Sequence, residues 1–171
     1  QIDAHADLRS SYEGFEQSHA SIMFNALKLP SVSRIVQVGV RDLCAAEMSL
    51  IEENDRIRFY SDWNLRESTL SGTPWSKICK HIVDELPANV YISFDIDGLN
   101  PALCPNTGTP VPGGLQFEEM RFLVHLLAKS GKSVIGFDLC EVAPGECEWD
   151  ANVGARVLWE LCMTTVVSKA Q

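Results

Sequence analysis

Residues 89–95, Asn-Val-Tyr-Ile-Ser-Phe-Asp, carry β-branched and aromatic side chains with no polar face, and the apolar character gives out at two aspartates, Asp95 and Asp97. A run of this kind fits a strand covered on both sides, inside a parallel sheet. The rest of the chain agrees with that placement, because short β-rich runs alternate with longer amphipathic ones too regularly for an all-helical or all-strand domain. "SRIVQVGV" (33–40), "RIRFY" (56–60) and "SVIGFDLCEV" (133–142) read as further strands, the first and last of them buried. "AAEMSLIEEN" (45–54), "QFEEMRFLVHLLAKSG" (116–131, stopped by Gly131) and "ANVGARVLWELCMTTVVSK" (151–169) read as helices. So does "TPWSKICKHIVDEL" (73–86), with Thr73 as its cap and Pro74 at its first position. Residues 98–114 pack four prolines and four glycines into a connection far longer than usual, which marks a functional loop.

A chain of 171 residues, 46% of them hydrophobic, suffices for one compact domain and not for two. Its 23 acidic and 14 basic residues give a net charge of −9, which argues against nucleic acid as a partner and favours small cationic ligands. No apolar run approaches the roughly 20 residues that span a bilayer, so the expectation is a cytoplasmic protein with no membrane partner. Six cysteines (Cys44, Cys79, Cys104, Cys140, Cys147, Cys162) show no CxxC spacing and lie in apolar segments. Buried reduced thiols are expected rather than a disulfide framework or a zinc knuckle. Met23 and Met48 read as core, Glu118 and Glu119 as a solvated helix face, and His81 and His125 as histidines without chemistry.

The chemistry gathers in two short motifs. In an extended strand alternate side chains share a face, so Asp3, His5 and Asp7 of "DAHAD" can point to one side, as can Asp95 and Asp97 of "DID". Ligand sites of parallel α/β sheets lie beyond the carboxyl ends of the strands, where both motifs fall. Four carboxylates brought together repel one another, a cost that two divalent cations cancel. Carboxylate-rich ligation without thiolate suits manganese or magnesium, and two ions about 3.5–4 Å apart can hold a bridging hydroxide. Either motif alone reads as well as strand-end turn residues capping neighbouring helices; their combination favours the metal reading.

"DAHADLR" together with "SFDIDGLNPALCPNTGTPVPGGL" resembles the ureohydrolase family, the arginases and agmatinases, and the likeness extends in order through "SHASIM" (18–23), "QVGVRD" (37–42) and "GFDLCEVAP" (136–144). The resemblance implies a three-layer α/β/α fold around a mainly parallel sheet, two manganese ions, and hydrolysis of a guanidino substrate to urea and an amine. It implies that Asp3 and Asp95 bridge both ions, that Asp7 completes the first site and accepts a hydrogen bond from the bridging hydroxide, and that His5 with Asp97 completes the second. His19 matches the family's proton-relay histidine, Glu141 the carboxylate that holds the guanidinium, and Thr109 a pocket-lining residue; a helix-start residue, a structural salt bridge and a turn are their respective plainer readings. Assembly into trimers or hexamers is also implied.

Three departures qualify the likeness. The family's GGDHS-like segment, which supplies a further histidine ligand, has no counterpart, so the chain is expected to be the C-terminal part of a single ureohydrolase domain that has lost its first strands. Such a site would hold the second ion better than the first. Asn100 stands where the family has an aspartate, an exchange expected to weaken support of the ligands. After "GVRD" come Leu43 and Cys44, where arginases carry an acidic residue for the amino-acid end of arginine, leaving Glu47 as a candidate substrate contact. The stretches "DAHADLRSSYEGFEQSHASIM" (3–23) and "RDLC" (41–44) resemble agmatinases more than arginases, which makes agmatine the expected substrate. Arginine and other guanidino or formimino compounds stay open, as does an inactive member serving as a scaffold.

Overall fold

The computed structural model describes residues 1–170, one short of the expected domain span 1–171. Among the described residues four strands are formed: β1 (Ile35–Val38), β2 (Ile57–Tyr60), β3 (Asn89–Asp95) and β4 (Ser133–Cys140). β1 pairs with β2 and β3 with β4, both in parallel. The chain's first residues join the two pairs. The Ile2 N–H donates to Ser93 O (2.9 Å) and Ile2 O accepts from the Asp95 N–H (2.9 Å) on one side, while the Val38 N–H donates to Gln1 O (2.9 Å) and the Asp3 N–H to Val38 O (3.3 Å) on the other. The spatial order is therefore β2, β1, the opening segment, β3, β4, and the acidic motif enters the middle of the sheet.

Alternation along β1 separates two cores. Val36 and Val38 face a large cluster with Val90, Ile92 and Phe94 of β3, and with the apolar stripes of three helices, α4 (Trp75–Glu85), α5 (Phe117–Ala128) and α6 (Trp149–Ser168). Ile35 faces a smaller cluster with Ile57 of β2, Met23 of α1 (Ile22–Leu27) and Ile51 of α2 (Ala45–Glu53). Helices thus cover both faces of the β1–β2 half, giving the three layers and the parallel α/β arrangement that the sequence leads one to expect.

The β3–β4 half is covered on one side only. Tyr91 is 56% and Ile135 58% exposed, so β3 is not enclosed on both faces and β4, with Val134 as its only buried residue, is not a buried strand. The reason is that α1 and α2 pack over β1 and β2 and do not reach across. A bulge next to Val90 and Tyr91 then returns Phe137 and Leu139 to the packed face.

Other expectations are corrected locally. The cap of α4 is Pro74, with extended backbone, and Thr73 does not cap it. A helix over Asp62–Leu70, α3, had no counterpart in the sequence reading; Ser61 caps it, accepting from the Asn64 N–H. Met48 is 37% exposed, because it lies on the outer side of α2, whereas Met23 is buried. Glu119 is no solvated residue: it pairs with Arg66 at 3.2 Å and closes the first turn of α5 through the Gln116 N–H. All six cysteines are free; Cys79 and Cys104 are buried, but Cys140, Cys147 and Cys162 are exposed, two of them because β4 and the outer side of α6 lack a cover. Among the described residues no helix is long and apolar enough to cross a membrane.

Candidate metal centre and substrate cavity

Beyond the carboxyl ends of the strands lies a cavity of about 420 Å³, lined by Asp3, His5, Asp7, His19, Glu47, Asp95, Asp97, Thr109 and Glu141, every residue singled out from the sequence. Arg9, Tyr12 and Asp42 also contribute to its wall.

Asp3, His5 and Asp97 form the tightest group, with one ligand-capable atom from each lying within 4.8 Å of the others. His5 Nδ1 stands 3.0 Å from Asp97 Oδ2 and 3.5 Å from Asp3 Oδ1. The backbone holds the group in place: the Ala4 N–H donates to Asp97 Oδ1 (3.0 Å), the His5 N–H to Asp3 Oδ1 (2.6 Å), and the Asp97 N–H to Asp95 Oδ1 (2.9 Å). Asp95 and Asp7 belong to the same cavity without joining that close group.

Asp7 departs from the expected alternation. Its φ is 53°, so the extended segment ends before it, and its carbonyl accepts the N–H groups of Met23 and Phe24 at the start of α1. The left-handed turn is strained for a residue with a side chain, a feature that favours functional sites.

The electrostatics reflect crowded carboxylates. Burial, with Asp3 nearby, pushes Asp7 and Asp95 up to about 8. Burial likewise raises Asp3, against the hydrogen bond from His5. Asp97 moves the other way, because the His5 and Ala4 hydrogen bonds outweigh its burial. Held between Asp3 and Asp97, His5 is raised to about 10. Oxygen donors under mutual repulsion, beside one imidazole, make a donor set that fits a hard divalent cation.

The flanking residues divide by partner. Glu47 is 3% exposed, and both oxygens are occupied: Oε1 accepts the Leu8 N–H (2.9 Å), while Oε2 accepts the Cys44 N–H (2.8 Å) and lies 3.8 Å from Arg9 Nε. It pins the opening segment to α2 while also lining the cavity. Thr109 Oγ1 donates to Asp97 Oδ2 at 3.4 Å. Glu141 follows β4 with φ 61°, and its carbonyl accepts from Thr107 Oγ1 (3.0 Å); among the described residues its carboxylate hydrogen-bonds to nothing. His19 is exposed and meets Tyr12 edge-on, with ring centroids 5.4 Å apart. Asn100 does not touch the ligands: Oδ1 accepts the Ala102 N–H (2.9 Å), closing a turn as an aspartate would.

Two residues escaped the sequence reading. Arg41 stands at the base of the long loop and donates to the carbonyls of Gly39, Asp97, Leu99 and Val111. Asp42 projects its carboxylate to 4.0 Å from His5 Nε2. Both lie in "GVRD", a segment whose likeness to the family gives neither side chain a role.

A parallel three-layer α/β sheet with an acidic, imidazole-containing cavity beyond its carboxyl ends defines the class, a candidate metal-dependent α/β enzyme. The arginase family profile matches residues 1–164, and the chain belongs to that family. It is 32% identical over 165 residues to an agmatinase of Bacillus subtilis, covering 95% of this chain and 53% of that protein. It is 34% identical over 143 residues to an N(1)-aminopropylagmatine ureohydrolase of Thermus thermophilus, covering 84% of this chain and 45% of that one. Among solved structures, an agmatine ureohydrolase of Thermoplasma volcanium superposes with a TM-score of 0.75 at 31% identity, over 99% of this chain and 53% of that one. The chain spans about half the length of these relatives.

Proposed function

We propose that this chain carries the metal-binding and guanidinium-holding part of a ureohydrolase that cleaves agmatine to urea and an amine. The observation that carries the reading is the convergence of Asp3, His5 and Asp97 within 4.8 Å, in a cavity that Glu141 also lines. Asp3, His5 and Asp97 would hold one divalent ion, with Asp7 and Asp95 sharing in a second; manganese suits the donor set. When bound, such ions supply a water activated for attack on the guanidinium carbon.

The protein's own residues do the rest. Glu141, exposed at the end of β4 and with no hydrogen-bond donor to its carboxylate among the described residues, pairs with the planar guanidinium and fixes its orientation. Thr109 steadies Asp97 through its hydroxyl. His19 stands at the cavity wall in contact with solvent, where an imidazole can carry a proton to the departing amine. Glu47 acts by holding the Leu8 and Cys44 backbone, not on the substrate.

N(1)-aminopropylagmatine is a second substrate candidate, favoured by relatives of that name. A homo-oligomer is supported by the exposed Trp159, Met163 and Val166 on α6, and a cytoplasmic setting by six free thiols. The deciding experiment measures urea released from agmatine, N(1)-aminopropylagmatine, arginine, guanidinobutyrate and formiminoglutamate by the manganese-loaded full-length protein. Agmatine turnover that Asp97→Ala abolishes supports the reading; good turnover of arginine with none of agmatine overturns the substrate, and no turnover of any favours the scaffold alternative.

A further inference from the structure

We propose that Gln37 and Gln1 form a side-chain relay that fixes the rotation of the Asp3 carboxylate, which makes both glutamines positioning residues of the metal centre. The proposal rests on the metal-binding reading of the cavity. Gln37 sits on β1 between Val36 and Val38 and is completely buried, on the side of the smaller cluster where Ile35 and Ala6 also pack. A valine or leucine would bury there without cost, whereas an amide needs a partner for each of its polar atoms. Gln37 meets only half of that need. Its Nε2 donates to Gln1 Oε1 (2.5 Å) and to Ala6 O (2.7 Å), while its Oε1 accepts nothing among the described residues. A buried acceptor left empty is destabilising, so packing does not account for a glutamine at this position.

What the amide does instead is orient its neighbour. Gln1 Nε2 donates to Asp3 Oδ2 (2.8 Å) and to His5 O (3.4 Å), and the His5 N–H donates to Asp3 Oδ1 (2.6 Å). Each oxygen of Asp3 therefore takes one N–H and keeps a further lone pair for a cation. The direction of the relay is set by two backbone carbonyls, Ala6 O and His5 O. Turning the Gln37 amide over would set its oxygen against Ala6 O and Gln1 Oε1. Turning the Gln1 amide over would set its oxygen against Asp3 Oδ2 and its NH2 group against that of Gln37. Only the observed arrangement gives every amide hydrogen of the two side chains an acceptor. Neither glutamine is among the residues that line the cavity, so both act through Asp3, the carboxylate shared by the close group with His5 and Asp97.

Methionine at either position keeps the length of the side chain and removes its donors. By calorimetry on the chelator-treated full-length protein, Gln1→Met should weaken manganese binding ~10-fold and Gln37→Met ~3-fold, as for other residues that orient a ligand. The double variant should bind no more weakly than Gln1→Met alone, because the effect of Gln37 passes through the Gln1 amide. Unchanged affinity in Gln1→Met, or penalties that add in the double variant, overturns the relay. So does a lowered melting temperature with manganese affinity intact, the result of a purely structural role. Solvent exchange of the Gln1 side-chain amide protons, followed by NMR on the metal-free protein, separates the relay from the metal reading. A wild type that takes up no manganese refutes the metal centre, yet slow exchange that Gln37→Met abolishes keeps the relay to Asp3; fast exchange in the wild type overturns it.

Discussion

Replacing Arg41 by methionine should loosen the long loop and the cavity together. The guanidinium places Nε 3.1 Å and Nη2 2.9 Å from Val111 O, Nη1 3.0 Å from Gly39 O, and Nη2 also 2.7 Å from Asp97 O and 3.2 Å from Leu99 O. No carboxylate forms an ion pair with it among the described residues, so its charge is spent on backbone oxygens, three of them belonging to residues 97–111. Methionine keeps the apolar stem and removes every donor. Hydrogen bonds from a charged group contribute about 1.5–3 kcal/mol each, but water can reach part of this half-buried site and replace some of them, which leaves a net loss of ~3–4 kcal/mol. That corresponds to a fall of about 6–16 °C in melting temperature for a domain of this size. Since the same loop carries Thr109 to Asp97, KM for the guanidine should rise in parallel. Differential scanning calorimetry and steady-state urea release would measure both. Lysine at the same position, a single ammonium unable to reach four carbonyls, should recover little. A melting temperature lowered by less than ~2 °C with unchanged kinetics would refute the anchoring argument.

Glu47→Gln turns one carboxylate oxygen into a donor facing a backbone N–H, and should cost ~2–3 kcal/mol of stability; an unchanged melting curve with a raised KM would instead place Glu47 on the substrate. Gly114→Ala forces a Cβ to 2.5 Å from Leu99 O at a φ of +88°, so thermal unfolding should show a loss of ~2 kcal/mol or more. The pH response of the chelator-treated protein follows from the raised groups. Asp7 and Asp95, at about 8 when folded against 3.8, keep protons that the unfolded chain gives up, so stability falls as pH rises from about 4 to about 8. His5, at about 10 against 6.5, adds stability that is full below 6.5 and lost as pH rises through 10. The melting temperature should therefore drop between pH 5 and pH 8, and manganese should restore it at pH 8; a metal-free curve that climbs over that interval contradicts this electrostatic account.

How far the fold can be read from the sequence depends on which part of the chain settles each element. Val36, Val38, Val90, Ile92 and Phe94 announce strands because one helix-covered face demands apolar residues at alternate positions, and that demand is local. Whether the opposite face is covered is not local. Tyr91 and Ile135 look as apolar as their neighbours, yet they face outward because no helix among the described residues crosses that side of the sheet. The missed helix α3 has the same origin. "DWNLRESTL" has weak apolar patterning, with Leu65 its only buried residue, and Asp62 is held by the loop, accepting the Gly114 N–H at 3.1 Å.

The site divides along the same line, and the division bears on where further functional residues should be sought. Asp3, His5 and Asp95 were legible from the spacing of their motifs, whereas Asp97 lies in a 3-10 turn, Ile96–Gly98, that the Asp95 side chain caps, so it reaches the cavity through that turn and not through the expected strand alternation. The resemblance added His19 and Glu141, which come from distant segments. Asp7 lines the cavity for a different reason than periodicity, through a left-handed turn that spacing does not foretell. Arg41 and Asp42 share one tripeptide neighbourhood and take opposite roles, the first turned inward to carbonyls and the second outward to the cavity. Nothing in their order distinguishes a structural cation from an open anion; only the count of satisfied partners does. In a cavity with seven carboxylates, acidity is therefore a poor guide to ligand contact, and the informative residues are those the protein leaves without a hydrogen-bond donor.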